Sequence, residues 1–246
     1  MFELTLSIDI EKQKLLNLFH KKLASECDDV LEAVVCHNHN GRTFLAVAVN
    51  DSKKEILKAK ILAGVVDIIV DAYKYEYFKQ QLSGESDNVL FEPFLKAITI
   101  FDKDCDFEVV KNEINLSGEI LIDSFFYFRL QALSSRWEKT AGIIIKNGIA
   151  KSQSSMIQVI KFLVESSENF TVSANIKLLE KSLQIKNYKG RKLFKVSDEG
   201  FSKFLTELIC LNPLKINLSK ASDENLHQKS CQILTEIFGE KIYFQN

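Results

Sequence analysis

The stretch Cys-His-Asn-His-Asn over 36–40 brings together Cys36, His37 and His39, three side chains of metal-ligating type. On a strand His37 and His39 would share a face. A zinc site draws roughly three or four converging ligands, and the remaining histidines, His20 and His227, stand on helical stretches far away in the chain. Polar residues leading into a hairpin turn account for the stretch, and neither a metal site nor a cofactor is expected. A second group is cationic. Lys186, Lys189, Arg191, Lys192 and Lys195 crowd the segment KNYKGRKLFK around one turn, a candidate anion-binding turn able to touch nucleic acid. As a solvated hairpin tip the same segment needs no function.

The third group is DSFFYFRLQAL at 123–133, where Phe125, Phe126, Tyr127 and Phe128 run directly into Arg129. At helical spacing Ile122, Phe126, Leu130, Leu133, Trp137, Ala141 and Ile144 form one apolar stripe, and Leu121, Phe125, Phe128 and Ala132 form its neighbour. An arc that wide predicts a helix buried on most sides, with the four rings sealed in a core; a ligand slot in that core is the alternative. A buried guanidinium needs a partner. The apolar helix ILAGVVDIIVDAY carries Asp67, so an Arg129–Asp67 ion pair is expected between two packed helices, or failing that a pair with Asp71. Otherwise Arg129 lays its methylenes along the core and extends its head to water.

No Gly-rich phosphate loop, nucleophile elbow, HExxH or kinase signature is present. Asp28-Asp29 and Asp104/Asp106 sit in loops or at helix starts, where capping explains them. Cys210 and Cys231 fall on apolar helix stripes, where cysteine behaves as a small hydrophobe. No catalytic residue is assigned.

The elements that must position these groups follow from periodicity. Phe2–Ile8 alternates as a strand, and Leu15, Leu16, Phe19 and Leu23 mark a helix from Ile10 to Ser25. Two β-rich runs flank Asn40-Gly41, which predicts a tight hairpin. Asp51 or Ser52 caps a long helix to Leu82, weaker helices cover 89–113, and a second long helix spans Glu119–Asn147 and ends at Gly148. A third spans Ser152–Ser166. Residues 174–196 read as strand, turn at Lys189-Gly190, strand; then come a helix over Asp198–Leu211 stopped by Asn212-Pro213, a short strand KINLS, a helix over Glu224–Phe238 and a last strand KIYF. The result is an α+β chain with an N-terminal β-α-β-β unit, central long helices and a small C-terminal mixed α/β unit. The expected segments are 1–83, 84–168 and 169–246.

With 32 basic against 33 acidic residues the net charge is −1, so no global field draws the chain to nucleic acid or an anionic membrane. The longest apolar stretch, Ile61–Val70, is interrupted by Asp67 and falls short of the roughly 18 residues that span a bilayer. The start MFELTLSIDIEK has no basic region followed by an apolar block, so no leader peptide is expected. The cysteines Cys27, Cys36, Cys105, Cys210 and Cys231 are odd in number and contain no CxxC, which suits reduced thiols in a cytoplasmic protein.

FFYFRLQALSSRWEKTAGIIIKN resembles the FxxFRL helix of the YtxC-like sporulation proteins of endospore-forming bacteria. KAKILAGVVDIIVDAYKYEYFKQQL is similar to that family's upstream helix. FLTELICLNPLKINLSKASDENL followed by LTEIFGEKIYF is similar to its C-terminal pattern, with Pro213 in the matching place. The chain departs from the pattern at Ser219, where a histidine or asparagine is expected, and has Phe244-Gln245-Asn246 in place of the cysteines of some members. The resemblance implies a YtxC-like protein, non-catalytic and acting through a protein partner. Two alternatives stand beside it: a nucleic-acid binder using the 186–195 hairpin, and an enzyme with a buried polar pocket near Arg129.

Overall fold

The protein is described by a computed structural model covering residues 1–245 except 28, 86–87, 169–170, 180–181, 188–189 and 220–227. The fold is α+β. In chain order the first elements are β1 (Phe2–Asp9), α1 (Gln13–Glu26), β2 (Leu31–His39) and β3 (Arg42–Val49). The β2–β3 hairpin turns through Asn40 at φ 45° and Gly41 at φ 73°. Both central residues need positive φ in this turn type, which is why Asn-Gly stands there. The Asn50 side chain accepts from the Ser52 N–H, so the helical run starts one residue before the expected cap. It continues as α2 (Lys54–Ile68), a π-helical turn at Ile69–Lys74, and α3 (Tyr75–Gln81).

Next come α4 (Phe91–Ile100) and α5 (Lys103–Glu113). The long helix expected over 119–147 is divided. Residues Gly118–Leu121 form a strand, β4, followed by α6 (Ile122–Arg129), a break at Leu130 and α7 (Gln131–Lys146). Parallel pairing of Leu4–Ser7 with Gly118–Leu121 holds β4 out of the helix. The remainder is α8 (Gln153–Ser166), β5 (Thr171–Leu179), β6 (Ser182–Asn187), β7 (Gly190–Lys195), α9 (Asp198–Leu211), β8 (Pro213–Ser219), α10 (Gln228–Phe238) and β9 (Ile242–Gln245). Residues 171–195 thus hold three strands instead of the expected two. The expected start of the last helix, at Glu224, lies outside the described residues.

The chain divides into two compact units, Met1–Lys74 with Lys103–Lys139 and Tyr75–Asp102 with Thr140–Asn246, in place of three consecutive segments. In the first unit a sheet of order β2-β3-β1-β4 is antiparallel apart from the β1–β4 edge. Helix α1 packs on its strands, and α2 packs on α1 and α5. Leu4, Leu6, Ile8, Leu16, Leu45 and Ile61 are buried there. Gly64 lets α2 approach α1, since a Cβ on it would lie 2.2 Å from the Phe19 ring.

In the second unit the sheet order is β7-β6-β5-β8-β9. The β7-β6-β5 part is an antiparallel meander, and β5, β8 and β9 run parallel. Helix α9 packs on β6, β7 and α4, while α8 packs on α4 and α10. Ser197 caps α9 through Gly200, and Asn212 ends it in left-handed geometry at φ 32°. Among the described residues no helix is long and apolar enough to cross a membrane.

Candidate functional site

Strand alternation decides which side chains share a side of the second sheet. Ala174, Ile176, Leu178, Leu183, Ile185, Ile216 and Leu218 form one face and are buried. On β7 the same face carries Phe194, edge-on to Phe204 of α9, and Lys192, whose Nζ lies 2.6 Å from Glu207 of α9. This is the helix-covered side.

The other face is open, and the strand register arranges it in rows. Arg191, Lys186, Asn175, Asn217 and Tyr243 are successive cross-strand partners over all five strands. At a strand spacing of about 4.8 Å that row is about 19 Å long. A second row reads Leu193, Gln184, Lys177 and Ser219. Lys195 pairs with Ser182 beside them, and Lys215 pairs with Ser173. Lys177, Lys186, Arg191, Lys195 and Lys215 are all exposed, and no carboxylate lies on the described residues of this face. Asn217 donates to the Asn175 side-chain oxygen at 2.9 Å, and the Lys215 ammonium sits 4.5 Å from the centre of the Tyr243 ring.

Two features distinguish this face. Lys186 and Arg191 are direct cross-strand partners. Like charges placed opposite each other destabilise a sheet, and no described residue forms an ion pair with either. Between the rows is a depression of about 530 Å³ lined by Asn175, Lys177, Gln184, Lys186, Arg191 and Ser219 among others. Gln184 is the most buried of the polar residues that line it.

The cations expected around the 186–195 turn are therefore split by the pleat. Lys186, Arg191 and Lys195 face the open side, Lys192 faces α9, and Lys189 lies outside the described residues. Lys177 and Lys215 join the site from strands remote in sequence. Their signal was the alternation in Ser173-Ala174-Asn175-Ile176-Lys177-Leu178 and Lys215-Ile216-Asn217-Leu218-Ser219, polar on one parity and apolar on the other.

The expectations for the first unit are corrected. Ile122, Phe126, Leu130, Leu133 and Trp137 are buried, as their stripe requires. Phe126 stacks on Trp137 with ring centres 5.6 Å apart. The neighbouring stripe is not covered: Phe128 is 76% exposed, Leu121 and Ala132 are exposed and Phe125 is half-buried, and Tyr127, outside both stripes, is 62% exposed. Consecutive helical residues point about 100° apart, so an eight-residue helix with one covered side seals one ring of the four.

Arg129 is exposed and makes no ion pair among the described residues, so its charge needs no buried partner. Asp67 pairs with Lys22 at 3.3 Å and with Lys103, and the expected Arg129–Asp67 pair is not formed. Asp71 is also exposed. Phe128 and Arg129 border an open depression, not a buried polar pocket. The acid that does receive an arginine here is Asp123. Its Oδ2 accepts from the Arg42 guanidinium at 2.9 Å and from the Asp9 N–H at 2.9 Å, and its Oδ1 accepts from the Tyr73 hydroxyl. Arg42 also donates to Ser7. That hub ties β1, β3, the π-helical turn and α6 together.

His37 stacks on Phe44 with ring centres 5.3 Å apart, and the Cys36 thiol donates to Asn17 at 3.2 Å. No group of at least three His, Cys, Asp or Glu gathers as a metal-holding set among the described residues. Burial pushes the Cys36 thiol up and the Lys241 ammonium down from their usual ranges. Burial, reinforced by the Glu92 carboxylate that accepts its hydrogen bond, also raises the Tyr75 hydroxyl. Comparison of the chain with protein-family models, with curated proteins and with solved structures finds no match.

Proposed function

We propose that this chain is a non-catalytic binding protein that holds single-stranded nucleic acid on the open face of its five-stranded sheet. One observation carries the reading: Lys177, Lys186, Arg191, Lys195 and Lys215 occupy that face with no described carboxylate among them. The net charge of −1 makes this segregation informative, because the cations are concentrated against an otherwise balanced surface. An acidic peptide would use the cations alone. The amides of Asn175, Gln184 and Asn217 and the exposed Leu193 and Tyr243 stand between the cations. They suit base edges and faces that a single strand leaves accessible.

Fluorescence anisotropy with a labelled single-stranded oligonucleotide over a salt series tests this. Contacts from five cations give a log–log salt slope of about −3.5 at about −0.7 per phosphate. Lys186→Glu with Arg191→Glu should flatten that slope and weaken binding. No retention at low salt removes the reading, and equal affinity for polyglutamate replaces it with an acidic protein partner.

Membership of the YtxC-like family, and with it a role in sporulation, is a proposal about lineage supported by the FFYFRLQAL helix and the LNPLKINLS segment. A cytoplasmic location is part of the same proposal, supported by the reduced thiols of Cys27, Cys36 and Cys105.

A further inference from the structure

We propose that the free edge of β2 is the surface on which a second copy of this chain docks, strand against strand and antiparallel. The two four-stranded sheets then run on as one. This surface belongs to the first unit and does not depend on the nucleic-acid reading. Four sheet edges exist among the described residues, and three carry features that discourage pairing. β4 and β9 are each 4 residues long. β7 places Arg191, Lys192 and Lys195 within its 6 residues. β2 has 9 residues, no lysine, arginine or proline, and a single carboxylate, Glu32, confined to the bulge between Leu31 and Ala33. Its regular part, residues 33–39, has no such guard.

The hairpin fixes which backbone groups point outward. His39 and Arg42 flank the two-residue turn and bond each other, and bonded pairs then alternate along the ladder. His37 with Phe44 and Val35 with Ala46 are the next bonded pairs, so the N–H and C=O groups of Val34, Cys36 and Asn38 point away from β3. No described residue hydrogen-bonds the backbone of these residues on that side.

An open row of donors and acceptors takes an extended strand, and this row is its own complement. Turned about a two-fold axis at Cys36, a second β2 sets Cys36 opposite Cys36 and Val34 opposite Asn38. Each facing pair closes two backbone hydrogen bonds. Residues 33–39 then match themselves end to end, and the bulge stays outside the paired stretch. Val35, 55% exposed, meets His37 of the second copy, and no two carboxylates or cationic side chains of β2 stand opposite each other. A contact of this isologous kind closes at two copies.

Sedimentation of the full chain over a concentration series tests the proposal. Wild type should form a species of twice the 28.1 kDa chain mass. Cys36→Pro removes an N–H that one copy leaves unused, and an edge strand tolerates proline at such a position. It deletes a bond from each side of the central pair, so association should weaken by about tenfold or more. Val35→Lys adds a guard of the kind β7 carries and should weaken association likewise. A wild type that stays monomeric at every concentration overturns the proposal and leaves the edge to a strand from another protein. A dimer that both variants leave intact has its interface elsewhere and overturns it equally. Should Cys36→Pro fail to fold, amide exchange in the wild type replaces it. The Val34, Cys36 and Asn38 amides should exchange slowly in the dimer and fast on dilution. Fast exchange in a sample that sediments as a dimer sinks the docking edge.

Discussion

Lys74 and Asp106 form an ion pair 2.7 Å long with both side chains sealed, at 0% and 1% exposure. The lysine closes the π-helical turn and the aspartate stands in the first turn of α5, so one contact fastens two segments of the first unit. A buried pair adds little net stability over well-packed hydrophobic residues, but removing one partner strands a charge away from water. Asp106→Ala should therefore cost about 3–5 kcal/mol. The double variant Lys74→Met, Asp106→Leu should recover most of that loss. Urea unfolding of the three proteins reads the difference, and a silent Asp106→Ala would contradict the buried pair.

The open sheet face sets stability against binding at a single position. Arg191 stands opposite Lys186, and turning it into an acid converts a repulsive cross-strand pair into an attractive one. Arg191→Glu should raise stability by about 0.2–1 kcal/mol while weakening oligonucleotide binding. Thermal melting and anisotropy on the same sample check both halves. A variant that is less stable and binds unchanged would show that this pair carries no anion.

Gly64 and Gly200 tolerate no side chain, for different reasons. A Cβ on Gly64 meets the buried Phe19 ring, whereas a Cβ on Gly200 would lie 2.0 Å from the Lys195 carbonyl oxygen. A ring can yield and a backbone carbonyl in a turn yields less. Gly64→Ala should cost about 1–3 kcal/mol by overpacking, and Gly200→Ala more, with a lower melting temperature for the second.

Thiol reactivity separates two cysteines of the first unit. Cys105 is exposed, while Cys36 is half-buried, donates to Asn17 and is pushed up by burial. The thiolate is the reactive form, so a raised thiol holds less of it at neutral pH. A maleimide should label Cys105 first and Cys36 more slowly, with the gap narrowing as pH rises and Cys36 deprotonates. Peptide mass mapping against time and pH reads this. Equal rates at neutral pH would mean that Cys36 is open to solvent.

Local signals in the sequence located the elements that depend on local chemistry. Asn40-Gly41 fixed a hairpin, Ser152 capped α8, and Asn212-Pro213 stopped α9 at the expected residue. Signals failed where partners lie far away in the chain. The Gly-Glu-Ile-Leu of β4 continues the helical apolar period of its neighbours, and pairing with Leu4–Ser7 alone makes it a strand. The ring tetrad gave a wide apolar arc, but an arc states what could be covered and not what covers it. Arg129 was given a buried partner on that premise, and its exposure removed the need. The binding face was half legible: the 186–195 cations were visible as a cluster, but pleat parity sent Lys192 to the helices and brought in Lys177 and Lys215.

The interleaving of the two units governs the order of events during synthesis. β4 is the edge partner of β1, and β9 is the edge partner of β8, so each sheet awaits a strand delivered late. The first unit lacks its last segment until residue 139 has left the ribosome, and the second waits for strand Ile242–Gln245. The first unit can therefore close while most of the second, from Thr140 on, is still being made, with Tyr75–Asp102 held in waiting for it. Each sheet thus passes through a stage with an unpaired edge, β1 until β4 emerges and β8 until β9 emerges.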